Sequence, residues 1–261
     1  MKKFILFLVL FIWIFNLSLS YAAEKKIKKP KSPYSTKEFT VETNDGHLIH
    51  AYLTFPKTKM KGYPTIVMLH SLGSSSYYWM PLQEKLNIMG YAVLRIDLRG
   101  HGKSVYNKSF RQSSWRSYKD SVFLKYPSDV IQTMDYVKNE SNKVNFNNWA
   151  IIGSDIGANT AVIVADKYSF KPKAIVLFAP SMTFKGLYIP VMLTELGTTP
   201  ILAIASIADK YAYNEQIKLK RFAQSTFDTY NVSKGGSNML ITKYYPESVG
   251  YISNWLSKYI K

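Results

Sequence analysis

The sequence predicts an α/β domain: a mostly parallel central sheet with helices on both faces and an N-terminal antiparallel hairpin. Three observations carry that prediction. Blocks such as "TIVMLH" (65–70), "AIVLFAP" (174–180) and "PILAIAS" (200–206) run apolar without alternation, as strands buried on both faces do. Segments of helical periodicity separate the blocks. Ahead of them, "KEFTVETNDGHLIHAYLTFP" holds two strand-like runs joined by Asn44-Asp45-Gly46, residues that tolerate the left-handed backbone of a tight hairpin.

Residues 1–22 read as a secretory signal peptide. "MKK" is a cationic start, "FILFLVLFIWIF" an apolar run, and "SLSYAA" a small-residue exit with Ser20 and Ala22 before the cut. The run falls short of the ~20 apolar residues of a membrane span, although an uncleaved anchor is the competing reading. Cleavage would leave a periplasmic or extracellular protein. Residues 23–35, including "EKKIKKPKS", form a basic, proline-marked tether, and 36–261 supply the folded domain. There is no cysteine, which excludes disulfides, a thiol nucleophile and thiolate metal sites. The formal charge is +17 over 261 residues, and removing 1–22 leaves +15. Such a surface suits an anionic envelope component, such as phospholipid headgroups or acidic glycans; a general abundance of lysine explains it equally well. No nucleic-acid motif is present.

Along the domain, "WMPLQEKLNIMG" sets Leu82, Leu86 and Met89 on one helical face and stops at Gly90. "YAVLRID" (91–97) is the next strand. "PSDVIQTMDYVKNE" carries the stripe Val130, Met134 and Val137. "WAIIGS" is a strand running straight into the helix "GANTAVIVADKY". Residues 181–199 form a short, irregular crossover, and helix material resumes after residue 211. "PESVGYISNWLSKYIK" closes with Val249, Ile252, Trp255, Leu256 and Tyr259 in a stripe. Ligands of such sheets bind at the carboxyl ends of the strands.

Those strand ends carry "LHSLGSSS", "DLRGHGKS", "GSDIGAN" and "ASIADKYA", in that order. Together with the terminal helix, they make residues 36–261 resemble the α/β-hydrolase superfamily, in its small bacterial esterase and dienelactone-hydrolase-like branch. In that fold a strand turns sharply into a helix and presents a nucleophile, usually serine. Here the residue is Asp155, flanked at two positions by Gly153 and Gly157; Ser154 sits one place off and is expected to point away. The resemblance implies an oxyanion hole from the main-chain N–H groups of Ile156 and Leu72, and it implies Asp209 as the acid of the triad. "HSLG" departs from the commoner His-Gly start by having Ser71.

The base is missing. The resemblance implies a histidine in the loop before the terminal helix, where "SKGGSNML" stands with Gly235 at its place. The four histidines, His47, His50, His70 and His101, all precede residue 102. An aspartate can attack without deprotonation, as in the superfamily's dehalogenases and epoxide hydrolases, but those relatives release product with a histidine-activated water and carry a larger cap than 181–199 allows. General-base help contributes ~10²–10⁴ in rate. His101, His70 and Lys234 are the substitute bases to examine. Asp155 and Asp209 alone do not define a metal cage, and no cofactor is implied. Three readings stand: an impaired hydrolase keeping a cleft for a small-molecule ligand or ester, an active hydrolase using Asp155 with an unconventional base, and a basic envelope-associated binding protein.

Overall fold

In this computed structural model residues 34–261 are described; the expected signal peptide and residues 23–33 of the tether lie outside the described residues. Strands β1 (Ser35–Glu42) and β2 (Leu48–Phe55) pair antiparallel about the expected turn, where Gly46 takes a φ of +76° that a Cβ would strain. Ser35 already pairs with Phe55.

Strands and helices then alternate: β3 (Tyr63–Leu69), α1 (Met80–Ile88), β4 (Ala92–Ile96), α2 (Asp120–Phe123), α3 (Tyr126–Glu140), β5 (Val144–Ser154) and α4 (Ile156–Lys167). After β6 (Ala174–Phe178) the crossover holds a two-residue hairpin, β7 (Thr183–Phe184) with β8 (Leu187–Tyr188), and a short helix α5 (Pro190–Glu195). The chain continues through β9 (Ile201–Ser206), α6 (Lys210–Leu219), β10 (Phe227–Val232), α7 (Ile241–Tyr244) and α8 (Glu247–Leu256). The main sheet has eight strands in the order β1-β2-β4-β3-β5-β6-β9-β10. All neighbours from β4 to β10 run parallel, and β2 joins β4 antiparallel.

The blocky strands are explained by two cores. In β3, Val67 and Leu69 pack on the face covered by α3 and α4, while Ile66 and Met68 pack with α1 and α8 on the other. The expected stripes supply the covering: Val130, Met134 and Val137 below, Leu82, Leu86, Ile252, Trp255 and Leu256 above. Helix α4 is buried from Ile156 to Ala165, because the sheet, α3 and the crossover close round it. The large polar group within that buried stretch, Asn159, is consumed by the crossover. Nδ2 donates to the carbonyls of Ser181 (2.9 Å) and Leu187 (2.8 Å), and Oδ1 accepts from Ser181 N–H. This satisfies the main chain of a segment too short to satisfy itself.

Strand β10 has no block pattern in sequence. It is an edge strand, buried only at Phe227 and Val232 among alternating exposed positions, and Trp255 of α8 donates its indole N–H to Asp228 at 2.7 Å. Among the described residues no helix is long and apolar enough to cross a membrane.

Candidate functional site

Strand β5 hands over to α4 at Asp155, whose φ of 58° and ψ of −118° lie outside the regions L-residues prefer. The surroundings enforce that turn. A Cβ on Gly153 would lie 2.2 Å from the Gly157 carbonyl oxygen, and one on Gly157 would lie 2.5 Å from Leu69 O. Helix and strands therefore meet only if both positions lack a side chain. Asp155 N–H donates to Phe178 O at 2.8 Å, which pins the turn to β6.

The Asp155 carboxylate points back at the main chain. Leu72 N–H donates to Oδ2 at 3.1 Å, and the neighbouring Ile156 amide favours the charged carboxylate. Of the two amides expected to form an oxyanion hole, that of Leu72 is thus taken by the side chain itself. Burial raises the Asp155 pKa to about 6; the two amide bonds oppose the rise, and the negative charge of Asp209 adds to it. Asp209 caps α6, its Oδ1 accepting from Ala212 N–H at 3.1 Å.

Ser154 points away from this group. Its hydroxyl is buried, lies 2.8 Å from Ser71 Oγ and accepts from Met239 N–H at 2.9 Å. One hydroxyl therefore ties together the β3 loop, the elbow and the loop after β10. Gly235 is exposed, with φ +84° and open space where its side chain would stand. Of the residues that loop brings to the cavity beside Leu72, namely Asn238, Met239 and Leu240, the polar one is Asn238. It lines a cavity of about 240 Å³ with Ser71, Leu72, Gly73, Tyr78 and Met239. Sequence reading missed it because Asn238 is placed by Met239 N–H on Ser154 and by Ser237 Oγ, which accepts from Ser206 N–H at 2.9 Å. Lys234 is exposed, its main chain tied to the Tyr245 hydroxyl, and it does not line this cavity.

The histidines are committed elsewhere. His101 Nδ1 donates to Arg99 O (3.1 Å) while Nε2 accepts from Gly73 N–H (2.9 Å). Burial, with the neighbouring His70, lowers its pKa to about 3. His70 is fully buried; Nδ1 donates to Ser71 O (2.8 Å) and Nε2 accepts from Leu98 N–H (2.9 Å). Both rings are neutral struts that shape the oxyanion loop, and neither has a nitrogen left to take a proton from water. His47 bonds to Ser104 O and His50 to Glu38, on the hairpin side. Trp115 stacks on His101 at 5.5 Å and would lie 3.0 Å from a Cβ at Gly73. Among the described residues, no three His, Asp or Glu groups are arranged to hold a metal ion.

The comparisons fit this geometry. Residues 62–247 match the family model described as serine aminopeptidase, S33. The chain belongs to that family, a branch of the α/β-hydrolase superfamily. The dienelactone hydrolase from Anabaena variabilis ATCC 29413 superposes with a TM-score of 0.68 at 14% identity, covering 88% of this chain and 100% of its own. The acetyl xylan esterase from Paenibacillus sp. R4 gives 0.67 at 15%, covering 89% and 86%. The Pyrococcus horikoshii acylaminoacyl peptidase gives 0.71 at 13%, covering 91% of this chain but 43% of that one. Such identities show a shared fold and nothing finer. No curated protein matches the sequence. This α/β-hydrolase therefore has the elbow of the fold with a carboxylate on it, and Leu72, which holds that carboxylate, shares a cavity wall with Asn238.

Proposed function

We propose that this α/β-hydrolase is an exported, catalytically impaired member of its family whose cleft binds a small molecule. The observation that carries the reading is the Asp155 carboxylate lying 3.1 Å from Leu72 N–H. In a working hydrolase such amides face a developing oxyanion, and losing one donor typically costs ~10²–10³ in rate. Here a permanent carboxylate competes with any substrate carbonyl for them. Commitment of His70 and His101 to main-chain partners supports the same reading, because it leaves no imidazole to activate water. Incubation of the mature protein with short nitrophenyl esters is expected to give no turnover above that of Asp155→Ala. Turnover that Asp155→Ala abolishes would overturn the proposal.

A second reading, an active hydrolase with Asp155 as nucleophile on a small ester, has one observation in its favour. Leu72 holds Oδ2, and an ionised carboxylate needs no base before it attacks. Single turnover in heavy-oxygen water decides between the two. Hydrolysis of an aspartyl ester leaves label on Asp155, and unlabelled Asp155 removes this alternative.

A further inference from the structure

Strand β4 carries a buried cation that the Asp155 site does not use. Arg95 is 6% exposed. Its Nε bonds Gln83 Oε1, Nη1 donates to Ser76 O at 2.9 Å, and the guanidinium lies 5.0 Å over the Tyr52 ring. All of these partners are neutral, and Arg95 makes no ion pair among the described residues. Buried guanidinium groups are ordinarily paired, because desolvating an unpaired charge is costly. Asp97 is near, but its Oδ1 accepts from Ser76 N–H (2.8 Å) and its Oδ2 from Lys103 N–H (3.0 Å).

A second, independent anomaly sits beside it. The Ser76 hydroxyl is buried and has no hydrogen-bond partner. Arg95 and Ser76 both line a cavity of about 300 Å³, walled further by Tyr52, Tyr77, Met80, Lys103 and the carboxylate residue Asp97. This cavity shares no lining residue with the one beside Leu72. Lys103 is exposed and paired with an exposed Glu38, an interaction weak enough to leave its charge available to a ligand.

We propose that this cavity is a binding site for a small oxyanion, a carboxylate or phosphate group carried by a small molecule. The anionic group would face Arg95, accept from Ser76 Oγ, and have Lys103 at its edge. A water molecule would satisfy the hydroxyl but bring no charge to the guanidinium, whose carboxylate neighbour, Asp97, makes no direct ion pair with it and spends both oxygens on main-chain amides. An oxyanion answers both groups. The space exceeds what a bare phosphate fills, and the Tyr77 and Met80 walls suit a short apolar remainder.

The test is calorimetric titration of the full chain with phosphate and with butyrate at constant ionic strength, with chloride as control. Saturable binding is expected from at least one of the two probes, and which one responds identifies the head group. Arg95→Gln is expected to weaken it about tenfold or more, as loss of a charged hydrogen-bond donor does. Should that variant not fold, Ser76→Ala and Lys103→Gln, which remove the orphan hydroxyl and the edge charge, are each expected to weaken binding several-fold. No saturable heat beyond chloride, or affinities unchanged in Ser76→Ala and Lys103→Gln, overturns the proposal.

Discussion

At Asp155 burial and hydrogen bonding oppose each other, and burial prevails: the pKa rises to about 6 from an unfolded value near 3.8. A carboxylate raised in this way holds its proton longer in the fold than in the open chain. Its contribution to stability is therefore lost as pH rises from about 4 to about 6, and the loss persists above that window. The shift corresponds to roughly 2–3 kcal/mol. Asp155→Asn removes the charge and keeps an acceptor for the amides. It is expected to be more stable than the parent at pH 8 by up to that amount, with the gap closing below pH 4; urea denaturation at the two pH values checks this. A second expectation concerns the chemistry. Asp155→Ser with Asn238→His frees the Leu72 amide and puts an imidazole on the cavity wall that Leu72 shares. Its nitrophenyl ester turnover should exceed that of either single variant at least about tenfold, given the ~10²–10⁴ of a general base. The elbow was legible in sequence because its glycine spacing is local. Asn238 was not, because its position depends on a hydrogen bond spanning 85 residues, Met239 to Ser154.

Helix α4 approaches the sheet only because Gly157 has no side chain; a Cβ there would stand 2.5 Å and 2.6 Å from two carbonyl oxygens of β3 and its loop. Gly157→Ala must move backbone and is expected to cost about 3 kcal/mol or more. Gly250→Ala in α8 meets nothing within 4 Å and should gain about 0.5–1 kcal/mol, the helix-propensity difference. Chemical denaturation of the pair separates steric from intrinsic effects. The hairpin is anchored differently, by Arg99. Its guanidinium makes two bonds to Asp129 (2.8 and 2.7 Å) and two to Asp45 (both 2.8 Å). Arg99, with Lys125 and Thr43, holds Asp45 well below the usual carboxylate range. That contribution is present above the unfolded carboxylate pKa and disappears as pH falls below about 4. Asp45→Asn should flatten the acid limb of a stability–pH curve; an unchanged limb would disprove the anchor. The helices and blocky strands were legible because their periodicity is written locally. This ion-pair cluster was not, because Arg99 lies 54 and 30 residues from its carboxylate partners.

Across the whole molecule the charge of +17 is a long-range property that no single residue carries. If the mature protein associates with an anionic envelope surface, sedimentation with vesicles rich in acidic lipid should be strong at 50 mM salt. It should fall steeply by 500 mM, where screening shortens the reach of surface charge. Equal recovery at both salts removes the electrostatic partner and leaves the cleft and the Arg95 cavity as the binding sites proposed from the fold. The Ser154 hydroxyl, bonded at 2.8 Å to Ser71 and at 2.9 Å to Met239 N–H, has a bearing on what the molecule can admit. Because it joins the β3 loop, the elbow and the loop after β10, a movement of one of them alone must break a buried hydrogen bond. A guest is then selected by its dimensions, and a padded analogue should bind more weakly than one that fits the cavity as it stands.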